Sequence, residues 1–185
     1  MPLAHYTNIQ SHYKNFEPVF KNLYEVIIVL PTAIQALHDD YQTLLLENTI
    51  KTSFPKYPSL GTAEQRFKFS TRKFVTFPPG TSTDLSITFN MNQNDDYQVF
   101  TWRILKDWYD LLWNNEDGST HYKKNSIGDI VVHQHDKEGH VIRRVTYYNC
   151  QITDISGWED LDWAGTDIAS LDVKFIADYW SDMYY

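Results

Sequence analysis

Residues 141–180, VIRRVTYYNCQITDISGWEDLDWAGTDIASLDVKFIADYW, read as a long strand, an acidic loop bearing two tryptophans, and a second long strand. Within 171–180, Leu171, Val173, Phe175, Ala177 and Tyr179 point one way and Asp172, Lys174, Ile176, Asp178 and Trp180 the other. This is the period-2 pattern of a half-buried strand. Upstream, residues 127–135 and 141–152 flank the polar turn Asp136-Lys137-Glu138-Gly139 and predict a β-hairpin. At strand rise its second arm would span roughly 40 Å, which suits the wall of a barrel.

Working outward, residues 84–91 alternate most cleanly, with Leu85, Ile87, Phe89 and Met91 against Asp84, Ser86, Thr88 and Asn90. The polar set requires water or a hydrophilic wall. Residues 23–30 (LYEVIIVL), stopped by Pro31, predict a buried strand; 41–53 (YQTLLLENTIKTS) reads as a strand; and 66–77 reads as one strand with an irregularity at 71–73. Two prolines and a glycine make 54–65 a loop. A short helix is expected over 32–38, capped by Thr32, with Ile34 and Leu37 on one face. A long helix is expected to open at Asn94, with Asp95 and Asp96 in its first turn and a stripe of Tyr97, Phe100, Ile104, Trp108, Leu111 and Leu112. About seven strands, one substantial helix and no βαβ rhythm predict a mainly β fold, an antiparallel sandwich or barrel with a flanking helix.

The length of 185 residues and 42% hydrophobic content fit a single domain over 1–185, with 1–22 as an N-terminal arm ordered by a neighbour. Sixteen basic residues against 24 acidic ones give a net charge of -8, a surface that repels phosphate rather than gripping it. Stable nucleic-acid binding is not expected; passage of DNA past such a surface is compatible with the charge, but acidity alone is common among soluble proteins. The single cysteine, Cys150, rules out an intrachain disulfide and reads as a buried thiol. The N-terminus lacks a signal-peptide layout and the longest aliphatic run, 26–30, is too short to span a bilayer, so a soluble protein made in a cytoplasm is expected. Six Trp and 13 Tyr favour an aromatic-rich, self-assembling surface.

No catalytic motif is present: there is no P-loop, G-x-S-x-G, HExxH or CxxC. His133 and His135 share a strand face and His140 lies across the hairpin, a spacing with metal-binding potential. Without a carboxylate or cysteine partner, solvated histidines are the expectation. The acidic loop echoes a calcium loop at Asp160, Asp162 and Gly165, then fails at Ala164 and Leu171. No metal, cofactor or enzymatic activity is assigned.

The segments FEPVFKNLYEVII, TSFP, LSITFNMN with DDYQVFTWRILKDWYDLLWN, YKKNSIGDIVV, GW with LDW, and SLDVKFIADYW occur in this order over about 16–180. Together they resemble the tail tube proteins of contractile-tailed bacteriophages, relatives of pyocin tube proteins and of Hcp. That resemblance implies two antiparallel sheets with a flanking helix, six copies per ring, a continuous inner β-barrel, and rings stacked into a tube inside a contractile sheath. It further implies a virion protein assembled in the host cytoplasm, whose partners are itself, the sheath protein, the tape measure protein and baseplate tube proteins, with the genome passing through unbound.

By the same resemblance, Phe54, Pro55, Tyr57 and Pro58 belong to a loop contacting the adjacent ring. Glu47, Asp84, Ser86, Thr88 and Asn90 are candidates for the lumen or equally for the outer surface, and Trp158, Glu159, Asp160, Asp162 and Trp163 form a contact loop. The stretch 31–40 and the tail 181–185 depart from the family pattern. A baseplate tube-initiator of the same fold and a monomeric β-sandwich binding module are the competing readings.

Overall fold

In the computed structural model the described residues are 19–38, 41–57, 60–76, 83–91, 100–114, 118–157 and 168–185. They form nine strands: β1 (Tyr24–Val29), β2 (Thr49–Thr52), β3 (Gly61–Phe67), β4 (Ser70–Thr76), β5 (Asp84–Asn90), β6 (Gly128–His135), β7 (Val141–Ser156), β8 (Ser170–Ile176) and β9 (Tyr179–Tyr184). Four helices accompany them: α1 (Thr32–Gln35), α2 (Tyr41–Asn48), α3 (Phe100–Leu112) and α4 (Lys123–Ser126). Seven strands join in the order β1-β6-β7-β8-β5-β2, with β9 also on β7, and every pairing is antiparallel. The expected mainly β class is therefore observed.

The 16-residue β7 organises the sheet. Its first half lies between β6 and β9, and its second half, from Gln151, carries β8. The change occurs at Asn149, whose φ of 55° is left-handed. There the register slips, with Gly128 opposite Cys150 but Ile130 opposite Tyr147, so Asp129 alone faces two residues of β7. Such a bulge bends a strand. It is held by side chains: the Asn149 backbone N–H donates to Asp129 at 2.9 Å and its Nδ2 donates to Asp178 at 3.0 Å.

One core runs through both halves. Val26 and Ile28 of β1, Ile130 and Val132 of β6, Val145 and Tyr147 of β7, Leu85, Ile87 and Phe89 of β5, and Leu171, Val173 and Phe175 of β8 all point into it. Helix α3 closes it with Ile104, Leu105 and Trp108, which are completely buried. The expected stripe included Ile104 and Trp108 but missed Thr101 and Leu105, while Phe100, Leu111 and Leu112 are only half-buried. Asn94, Asp95, Asp96 and Tyr97 lie outside the described residues. The Trp108 indole N–H donates to the Ser126 carbonyl at 2.8 Å, and the ring lies 5.5 Å from that of Phe175.

Several expectations require correction. Residues 41–48 are helical: Leu, Gln and Glu favour the helix, and the Asn48 and Thr49 side chains donate to the carbonyls of Leu44 and Leu45, both at 2.7 Å, closing its C-terminus. Only Thr49–Thr52, β-branched at three of four positions, is a strand. The single strand expected over 171–180 is two. It breaks after Ile176, where the Ala177 N–H donates to Thr83 O (3.2 Å) and the Asp178 N–H to Tyr148 O (3.0 Å), sending the chain from β8 to β9. Residues 181–184, in the tail that departs from the family pattern, thus belong to a strand. The irregularity placed at 71–73 is a two-residue turn, Lys68-Phe69, between β3 and β4. The strand β1 is the end of the sheet and buries one face only. The helix α1 begins after Pro31 without a Thr32 side-chain cap and ends before Leu37, which is exposed.

Cys150 is buried and reduced as expected, and desolvation pushes its thiol up to about 12. No helix among the described residues is long and apolar enough to cross a membrane.

Candidate assembly surfaces

The alternation of β5 puts Leu85, Ile87 and Phe89 in the core and Asp84, Ser86, Thr88 and Asn90 on the opposite face, with Asp84 and Ser86 exposed. Register extends this face sideways, because Ser86 stands opposite Lys174 and Thr88 opposite Asp172 on β8, while Lys174 in turn faces Asp154 on β7. Thr88 donates to Asp172 at 2.5 Å, and Lys174 reaches Asp154 at 2.7 Å. The result is a wall of mixed charge across β7, β8 and β5, backed by apolar core. Such exposed pairs contribute little stability, so the face keeps its polarity for contact with water or a hydrophilic partner. Glu47 is not part of it: it is an exposed residue of α2, a consequence of the helix replacing the expected strand.

The proline loop is anchored to its own chain. Phe54 lies 4.1 Å from the Arg143 guanidinium, Pro55 is buried, and Tyr57 packs edge-on against Trp180 at 5.1 Å while donating to Asp182 at 2.6 Å. That last bond pushes the Tyr57 phenol up to about 12. Pro58 lies outside the described residues, as does the loop with Trp158, Glu159, Asp160, Asp162 and Trp163. Of the arm 1–22, the described part is 19–22, where Phe20 stacks on Lys137 at 5.1 Å.

The segment after the proline loop departs from expectation. From Gly61 onward, where a loop to residue 65 was expected, β3 and β4 form a separate two-stranded ribbon with every residue exposed. It displays Phe67, Phe69, Phe74 and Val75, and Phe69 at the turn is 91% accessible. An isolated two-stranded ribbon is marginal in water, and an apolar one invites a partner. Patterning could not reveal it, because neither face of the ribbon is buried and Phe74 and Val75 fall on opposite faces.

Within the seven-stranded sheet, β1, β2 and β9 each have one strand neighbour and leave open edges. Edges of this kind are templates for pairing between chains.

The histidines divide differently from the sequence expectation. His140 turns to Asp136 (3.3 Å) and Glu138 (3.7 Å) within the hairpin turn. His133 and His135 instead meet Glu25 of β1, at 3.3 and 3.5 Å from its Oε2. Glu25 was missed because the pairing of β1 with β6, which places it opposite His133, spans more than a hundred residues.

No protein-family model matches the chain, and no curated protein matches it. Among solved structures, it is similar to a chain of the PVC sheath-tube complex of an extracellular contractile injection system in its extended state. The similarity covers 99% of this chain and 100% of that one, with a TM-score of 0.57 at 15% identity. The chain shares the fold of that sheath-tube-complex chain. The chain is also similar to a chain of the anti-feeding prophage baseplate (TM-score 0.56, 10% identity, covering 91% and 97%). A further similarity is to a chain of the anti-feeding prophage tube-terminating cap (TM-score 0.53, 15% identity, covering 92% and 93%).

Proposed function

We propose that this chain is a structural protomer of the tube of a contractile tail or injection system, with the whole of 1–185 acting as one tube domain and no catalytic role. Copies join edge to edge through the open strands into six-membered rings, so that the sheets merge into one inner barrel and the exposed edges disappear. The polar wall of Asp84, Ser86, Thr88 and Asn90, with Asp154, Asp172 and Lys174, faces the lumen, and the β3–β4 ribbon reaches the next ring. Sheath protein surrounds the tube. The tape measure protein occupies it during assembly, and in a phage tail the genome passes along a lumen whose acidic residues do not retain it. The observation that carries this reading is the likeness of fold to a chain of a sheath-tube complex, end to end on both chains.

A second reading, a baseplate or terminating member of the same tube, draws support from the similarity to chains of the baseplate and cap assemblies. Negative-stain microscopy of concentrated purified protein tests both. Long tubes with a central channel support the tube protomer. Single rings or short stacks that do not elongate support the terminal member. A monomer at every concentration defeats both and leaves a binding module.

A further inference from the structure

Glu25 and His133 are register partners across β1 and β6, and His135 lies two residues further along on the same face. The Glu25, His133 and His135 side chains are 35%, 17% and 22% accessible. One ligand atom from each lies within 4.8 Å of the others.

The state of His135 is set by its neighbours. Its Nδ1 is 3.1 Å from the Gly139 carbonyl oxygen, and its backbone N–H donates to Leu23 O at 2.9 Å. A carbonyl only accepts, so Nδ1 carries a proton, and a lone pair, where the ring has one, sits on Nε2. That lone pair faces Glu25 Oε2 at 3.5 Å. Two acceptors in such an approach repel unless a cation, either a second proton or a metal ion, stands between them.

The spacing suits a metal. Ligands about 2.1 Å from a tetrahedral centre stand about 3.4 Å from one another, and Glu25 Oε2 is 3.3 and 3.5 Å from the two ring nitrogens. Two imidazoles and a carboxylate are a zinc donor set, and a backbone carbonyl on the far nitrogen is the usual orienting partner of a ligating histidine. We propose that Glu25 Oε2, His133 Nδ1 and His135 Nε2 form a site for a divalent transition metal ion, zinc above all, with a fourth position open to water. The ion would clip the edge strand β1 to β6. Arg144, opposite His133 on β7, brings a fixed positive charge to the same face and weakens the site electrostatically. The site is independent of the tube reading.

The test is zinc stoichiometry and affinity of the untagged full chain, stripped with chelator, reloaded and dialysed, with cobalt absorption as a second readout of tetrahedral coordination. One zinc per chain is expected. Glu25→Gln and His135→Ala should each weaken binding at least about 10- to 100-fold, since even outer-shell changes cost that much, whereas His140→Ala should leave it unchanged. Melting in chelator shows whether each variant folds, and Glu25→Gln serves where a histidine variant does not. Zinc lost on dialysis of the parent chain, or binding that survives Glu25→Gln and His135→Ala but disappears in His140→Ala, overturns the site. The former outcome leaves a histidine–carboxylate proton pair in its place.

Discussion

Arg143 of β7 and Asp182 of β9 meet side-on, with Nε 3.1 Å from one carboxylate oxygen and Nη2 2.7 Å from the other. The Asp182 side chain is only 4% accessible and that of Arg143 17%. The same guanidinium faces the rings of Phe54 and Tyr184, and the same carboxylate accepts from Tyr57, so one ion pair joins the proline loop and the last strand to β7. Breaking a fully buried pair from one side costs about 3–5 kcal/mol. With Arg143 keeping part of its hydration, Asp182→Ala should lower unfolding stability by about 2 kcal/mol, seen as a lower denaturant midpoint.

The pair also gives stability a pH dependence. Burial pulls the Asp182 carboxyl upward, but hydrogen bonds from Arg143 and Tyr57 outweigh it and leave it below the usual carboxylate range. A depressed carboxyl contributes stability that is fully present above its unfolded value of about 4 and is lost as pH falls through the folded one. Asp178, lowered chiefly by its bond from Lys123, acts in the same direction. Denaturant midpoints measured between neutral and acid pH should therefore fall less steeply for Asp182→Asn than for the parent chain, with the Asp178 contribution remaining.

Gly128 opens β6 where Trp108 closes the core. A Cβ there would press into the Val29 carbonyl oxygen and approach the Trp108 ring to 3.0 Å. Gly128→Ala should destabilise the chain by about 1–3 kcal/mol through overpacking, measured as a lower melting temperature and denaturant midpoint.

The ribbon separates assembly from folding. Phe67, Phe69 and Phe74 are all exposed on it, so their replacement by serine should change monomer stability by no more than about 0.5 kcal/mol each. Under the tube reading the same triple variant should lose ring stacking, leaving rings or monomers in sedimentation where the parent chain forms longer particles.

Cys150 offers a probe of opening. With its thiol buried and raised to about 12, it should resist alkylation at mildly alkaline pH in the native chain and react at the ordinary thiol rate in denaturant. Mass spectrometry of timed samples would give the two rates.

The strands that alternate were legible in the sequence: residues 84–91 and the 127–152 hairpin needed only period-2 patterning and a glycine turn. The signal failed where a local pattern was overridden from a distance. Ala177 and Asp178 continue the alternation of β8, yet backbone bonds to Thr83 and Tyr148 end the strand. Residues 41–48 carry three successive leucines, which no period distinguishes as helix or strand; side-chain bonds at Asn48 and Thr49 settle the matter locally. The polar wall could be read from β5 alone, whereas its completion by Asp154, Asp172 and Lys174 depends on register. The Glu25–histidine cluster depends on strand order, which composition and periodicity do not encode.

The bulge at Asn149 gives β7 a particular mechanical standing. One unbroken backbone belongs to both halves of the sheet, and the left-handed residue between them is pinned by Asp129 and Asp178. Under the tube reading, replacing Asn149, Asp129 or Asp178 would therefore be felt in the bend of the wall as well as in the stability of one chain.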